Sequence, residues 1–123
     1  MKTLVIYGSL RRGEYNYDYF NRNDEMEFVG QGKLDGFDLF NLGSYPCITP
    51  SKEQRSVVVE VFNVPDDMAE RIDGMELGAG YNAKDVKIKT EDGKEVEGTV
   101  YVYRERPDEK WLLEHGDWCK REI

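Results

Sequence analysis

The apolar positions change period several times along the chain, and each change marks an element. Leu4-Val5-Ile6-Tyr7 is a continuous apolar run, the pattern of a strand buried on both faces. It stops at Gly8-Ser9-Leu10-Arg11-Arg12-Gly13. Gly8 and Gly13 can take backbone angles closed to other residues, and Gly8 lets a ligand come close to the main chain. Residues 14–24 mix aromatic and polar side chains and predict a short helix or ordered loop with Tyr15, Tyr19 and Phe20 inward. A strand, a glycine turn and a helix start in succession aim unpaired N–H groups at one point, which suits a small anion. An ordinary strand-to-helix connection has the same pattern.

From Met26 to Thr49 the signal is strand-like, broken by Gly30, Gly32, Gly36 and Gly43. Phe28-Val29, Phe37, Leu39 and Leu42 predict two or three short strands with bulges or corners at the glycines. That spacing suits a strongly curved sheet or a small barrel. Tyr45-Pro46-Cys47-Ile48-Thr49-Pro50 is a rigid stretch, since a proline biases its predecessor toward extended geometry. It either holds Tyr45 facing a cavity or runs as a plain loop. Val57 to Phe62 is the clearest strand.

Pro65 sits where a helix begins, Asp66 and Asp67 suit its positive end, and Met68, Ile72 and Met75 form its inward stripe. The helix runs to about residue 76. Tyr81 to Thr90 and Val96 to Arg104 predict a hairpin through Glu91-Asp92-Gly93-Lys94, with Val86 and Ile88 alternating with Lys87 and Lys89 so that one face is wet. After Arg106-Pro107, the segment carrying Trp111, Leu112 and Leu113 predicts a short docking helix.

Composition narrows the class. The 123 residues suffice for one domain over 1–123 with a single core, and 39% apolar with 34% charged residues describes a soluble globular protein. No apolar run approaches the ~20 residues of a membrane span. The opening apolar stretch ends at a glycine turn, too soon for a signal peptide, so the expected location is cytoplasmic. A net charge of −8 without a basic stripe argues against nucleic acid. Cys47, Cys119 and the single His115 lack a zinc spacing. Both cysteines are most simply free thiols, and a Cys47–His115 nucleophile pair has no supporting motif.

Glu76 is the strongest catalytic candidate. At about 100° per residue it lies about 40° from Ile72, on the margin of the apolar stripe, at the helix end where the dipole disfavours negative charge. Both effects raise a carboxyl pKa toward the range useful in proton transfer.

Tyr7-Gly8-Ser9-Leu10 with Gly13 and Asn16 resembles the opening of the γ-glutamylcyclotransferase-like family. Tyr45-Pro46 with Pro50, Asp73 followed by Glu76 and Tyr81, and Gly116-Asp117-Trp118 fit the same pattern in the same order. The resemblance implies a reaction in which the α-amine of a γ-glutamyl compound attacks its own γ-carbonyl, releasing 5-oxoproline and an amine or amino acid. It places the general base at Glu76, N–H donors in the turn Tyr7, Gly8, Ser9 and Leu10, and pocket walls at Tyr45 and Tyr81. Tyr7 and Tyr81 would donate hydrogen bonds to the substrate or serve as core aromatics with a polar tip. No metal or cofactor is required. The partner is a small γ-glutamyl substrate, with no nucleic acid or membrane, and the chain is a monomer or weak homodimer.

Arg11 and Arg12 would draw an acidic substrate or simply be solvated, and Gly116-Asp117-Trp118 reads as structural, Asp117 tying a turn while Trp118 packs. After the glutamate, family members commonly carry a tyrosine with an arginine close behind. Here Tyr81 is followed by Asn82-Ala83-Lys84. Ser9-Leu10-Arg11-Arg12 also differs from the Ser-Leu-Ile-Trp of the glutathione-degrading branch, so γ-glutamyl amino acids or amines fit better than glutathione.

The expected fold is α+β, a curved mixed sheet closing into a small barrel with one or two flanking helices. The alternative to the enzyme is a non-catalytic protein that binds a small anionic metabolite in the same pocket. A third class, a structural or partner-binding protein, predicts no such pocket.

Overall fold

The computed structural model describes residues 1–121. β1 (Lys2–Ile6) is covered on both sides, as its unbroken apolar run predicts: Leu4 and Ile6 enter one buried cluster, Val5 and the following Tyr7 another. β5 (Ser56–Val64) runs antiparallel beside it and divides its side chains in the same way. Val57, Val59 and Val61 join the Val5 cluster, Phe62 and Val64 the Leu4 cluster.

With β2 (Glu27–Asp35), β6 (Tyr81–Thr90) and β7 (Glu95–Tyr103) these strands close a barrel in the order β1-β5-β2-β6-β7. All neighbours are antiparallel except at closure, where β1 and β7 run parallel with Leu4 beside Thr99. β2 bulges between Phe28 and Gly30, one of the expected glycine irregularities. β6 and β7 form the expected hairpin, with Gly93 at φ 88° in its turn.

The chain leaves the barrel at a one-residue corner, Gly36, whose φ is 84°. β3 (Phe37–Asn41) and β4 (Pro46–Pro50) then build a separate sheet with β8 (Leu112–Leu113), in the order β4-β3-β8. The stretch after Asp108 is therefore not the expected helix. Asp108 caps a single 3-10 turn, Glu109–Trp111, after which Leu112 and Leu113 pair with Phe40 and Leu39. Cross-strand pairing at the edge of β3 outweighs local helix preference there.

Two helices flank the barrel. α1 (Tyr15–Phe20) buries Phe20 and packs Tyr17 against the core, but Tyr15 and Tyr19 are 63% and 54% exposed, contrary to expectation. A six-residue helix has one inward face, and the pair three apart, Tyr17 and Phe20, occupies it. α2 (Asp66–Gly78) follows Pro65 and buries Met68, Ala69 and Ile72. Met75 is 38% exposed rather than inward. Counted at about 100° per residue, Met75 lies about 60° to one side of Ile72 and Glu76 about 40° to the other, on the side of Ala69. The carboxylate thus lies nearer the buried stripe than the methionine does.

Candidate active site

A cavity of about 370 Å³ opens where the turn after β1, the start of β4, the end of α2 and strands β6 and β7 meet. Tyr7, Gly8, Ser9 and Leu10 form one wall, with Tyr45, Glu76 and Tyr81 completing it, so every site residue nominated from the sequence lines one space. Tyr15, Asn16, Met75 and Tyr101 line it as well.

The turn is cinched by its own main chain. Arg11 N–H donates to the Gly8 carbonyl at 2.9 Å, and the N–H groups of Asn16 and Tyr17 both donate to the Ser9 carbonyl at 3.1 Å. Among the described residues, the N–H groups of Ser9 and Leu10 have no main-chain acceptor. The Asn16 amide donates to Ser9 Oγ at 2.8 Å, which leaves the Ser9 hydroxyl proton free to donate elsewhere. Gly8 is needed for a reason other than ligand approach: a Cβ there would sit 2.3 Å from Pro46 Cγ. The neighbour that presses on the turn is a proline ring.

Of the two readings open for Tyr7 and Tyr81, the structure shows buried aromatics whose polar tips bond to main chain. Tyr7 Oη donates to the Tyr101 carbonyl at 2.7 Å, and Tyr81 Oη donates to the Pro46 carbonyl at 2.5 Å. Their protons are committed to main chain, so each offers a ligand only its lone pairs. Burial pushes both phenols well up, and they remain neutral.

Among the described residues, Glu76 is the only charged side chain lining the cavity. Burial at the end of α2 pushes its carboxyl up to about 7. A group poised there takes and returns a proton near neutral pH. Just beyond it, Ala79 N–H donates to the Met75 and Glu76 carbonyls, both at 3.1 Å. Residues 82–84 lack the arginine common in the related family, yet one arrives from just past the end of β7: Arg104 donates to the Leu77 carbonyl at 3.1 Å, the Tyr81 carbonyl at 3.2 Å and Asn82 Oδ1 at 3.0 Å. Sequence reasoning missed it because the two segments meet only through the hairpin register, Asn82 opposite Val102.

Arg11 and Arg12 neither line the cavity nor stand in solvent together. Arg11 is 4% exposed, with Nε 2.7 Å from Glu60 and Nη1 2.7 Å from Asp117. Arg12 Nε lies 2.8 Å from Glu60, and its guanidinium stacks 3.7 Å over the Phe28 ring. Glu60 is a buried carboxylate opposite Ile6, and such a group requires paired cations. Gly116-Asp117-Trp118 is structural, as expected. Asp117 caps the 3-10 turn Trp118–Lys120, and buried Trp118 donates its indole N–H to Glu14 at 2.9 Å.

Cys47 is a buried core thiol that burial pushes up to about 12, while His115 is exposed and accepts the Asp117 N–H at 3.1 Å. They do not form a nucleophile pair. Among the described residues, no cluster of His, Cys, Asp and Glu is arranged to hold a metal ion, and no helix is long and apolar enough to cross a membrane.

Comparison with known proteins gives a consistent result. The sequence model of the family described as gamma-glutamyl cyclotransferase, AIG2-like, matches residues 4–120. A Methanocaldococcus jannaschii protein with the provisional name γ-glutamylcyclotransferase is 31% identical over 119 residues, 96% of either chain. The solution structure of YtfP from Escherichia coli matches with a TM-score of 0.69 at 26% identity, over 96% of each chain. The crystal structure of an AIG2-like protein from Mus musculus matches in fold, with a TM-score of 0.78 at 24% identity over 96% of this chain and 88% of that one.

Proposed function

This chain belongs to the gamma-glutamyl cyclotransferase, AIG2-like family, and on that premise we propose that it is a cofactor-free cyclotransferase acting on small γ-glutamyl compounds. The observation that carries the reading is the position of Glu76: one carboxyl, raised to about 7, in the same cavity as a turn with free N–H donors.

The substrate's α-amine enters as an ammonium. Glu76 takes one proton from it, and the freed nitrogen attacks the γ-carbonyl carbon, forming a C–N bond and a tetrahedral oxyanion. The N–H groups of Ser9 and Leu10 and the Ser9 hydroxyl are the donors available to that oxyanion or to the substrate carboxylate. As the oxyanion collapses, the original γ-amide C–N bond breaks. Glu76 returns the proton to the departing nitrogen, then takes the second proton from the ring nitrogen and passes it to the released amine or to water. 5-Oxoproline therefore leaves with a single lactam N–H, the amine or amino acid leaves as its ammonium, and the enzyme is unchanged. Folding the substrate back on itself inside a small cavity supplies the proximity the five-membered ring closure needs.

The test is chromatographic detection of 5-oxoproline from a panel of γ-glutamyl amino acids and γ-glutamyl amines, with Glu76→Gln alongside. Release by the wild type and none by Glu76→Gln is the expected result. No release from any member of the panel at high enzyme concentration overturns the reading.

A further inference from the structure

The catalytic end of α2 is poorly anchored by apolar packing. Its buried residues, Met68, Ala69 and Ile72, all precede Glu76. In the last turns Gly74 and Gly78 have no side chain, and Met75 and Leu77 are exposed. Glycine gives up more backbone freedom than alanine on entering a helix, so local propensity does little to hold this end in place.

Two side chains reach it from the hairpin: Arg104, just past β7, donates to the Leu77 carbonyl at 3.1 Å beyond Glu76, and Tyr101 holds the turn before it. Tyr101 Oη on β7 donates to Asp73 Oδ1 at 2.9 Å, one helical turn before Glu76. Tyr101 is itself buried, paired with Ala83 in the hairpin, and lines the cavity. Its carbonyl accepts the Tyr7 hydroxyl at 2.7 Å. A single rigid residue therefore grips Tyr7, at the head of the glycine turn, with its main chain, and the helix of Glu76 with its side chain.

We propose that Tyr101 and Asp73 are positioning residues whose hydrogen bond fixes the Glu76 carboxyl relative to the Tyr7–Leu10 turn. The other titratable side chains that line the cavity with Glu76 are Tyr7, Tyr15, Tyr45, Tyr81 and Tyr101. The Asp73 carboxyl sits one turn back on the same helix, so a variant that removes its charge but keeps the bond separates the tether from electrostatics. Its kinetic consequence rests on the cyclotransferase reading; its structural consequence does not.

Two readouts separate these. In the first, Tyr101→Phe and Asp73→Ala lower kcat for 5-oxoproline release by roughly 10- to 100-fold, the effect of a small misplacement of a catalytic group, with KM little changed. Asp73→Asn, which keeps an acceptor oxygen and loses the charge, retains the wild-type kcat. In the second, the Glu76 carboxyl is titrated by 13C NMR, its signal assigned by its absence in Glu76→Gln. Both tether-breaking variants shift the midpoint toward an ordinary glutamate value as water reaches the loosened helix end, and Asp73→Asn does not.

Asp73 is half-buried, so Asp73→Ala keeps the core intact should Tyr101→Phe fold badly. An unchanged kcat and midpoint in Asp73→Ala overturns the proposal, as does an Asp73→Asn variant that behaves like Asp73→Ala. A wild type that releases no 5-oxoproline, together with a shifted midpoint in Asp73→Ala, removes the cyclotransferase reading and leaves the positioning role standing.

Discussion

Gly8 and Pro46 are in such close apposition that the Cβ of any larger residue at position 8 would lie 2.3 Å from the Pro46 ring. The turn after β1 and the first residue of β4 thus form one wall. Gly8→Ala is expected to push them apart at a cost of about 1–3 kcal/mol, the usual penalty of overpacking. Urea denaturation measures the loss. A variant as stable as the wild type would show that the wall yields freely.

The raised carboxyl of Glu76 makes both stability and turnover depend on pH, with opposite signs. Its ordinary value is 4.5 and its native value about 7, so between those limits the folded state binds more protons than the unfolded state. The stabilisation this brings is fully present below 4.5 and is lost as pH rises through about 7. Glu76→Gln should therefore match the wild type at acid pH and exceed it in alkali, by at most about 3 kcal/mol. Thermal melts across the range test this.

Turnover needs the carboxylate, so kcat/KM should climb as pH rises, with a midpoint near the same value of about 7. A flat profile through neutrality would remove Glu76 as the base.

Arg11 bridges two acids in the interior, Glu60 and Asp117. Arg11→Ala leaves buried charge uncompensated and should cost about 3–5 kcal/mol. Arg11→Lys recovers only part of this, because one ammonium does not reproduce the fork that reaches both partners. Equilibrium unfolding of the two variants decides the matter.

Tyr45 is 43% exposed at the cavity mouth. Tyr45→Ala should change stability by less than about 0.5 kcal/mol, yet weaken substrate binding and raise KM. Tyr81→Phe should do the reverse, losing the bond to the Pro46 carbonyl for about 1–2 kcal/mol of stability. Denaturation curves and Michaelis plots on the same pair of variants separate wall from mouth.

Local periodicity explains which features could be read in advance. The two-faced burial of β1, the hairpin at Asp92-Gly93 and the semi-buried place of Glu76 on α2 all follow from spacings within a few residues. Arg11 could not be read that way, because its burial depends on Glu60, which lies 49 positions on. The exit of β3 from the barrel turns on one residue, Gly36, and the strand at Leu112–Leu113 exists only because β3 offers an edge. Tyr15 and Tyr19 face solvent because Tyr17 and Phe20 took the inner face of a very short helix. Composition alone does not distinguish those two pairs of aromatics.

The ties that finish the first turn come from a distant part of the sequence: Arg11 meets Asp117 across 106 positions, and Glu14 meets Trp118 across 104. A ribosome delivers the turn well before these fastenings, so this wall of the cavity is completed only once the segment carrying Asp117 and Trp118 has emerged. Nascent chains halted before Asp117 should present residues 8–14 to a protease, whereas the finished chain protects them.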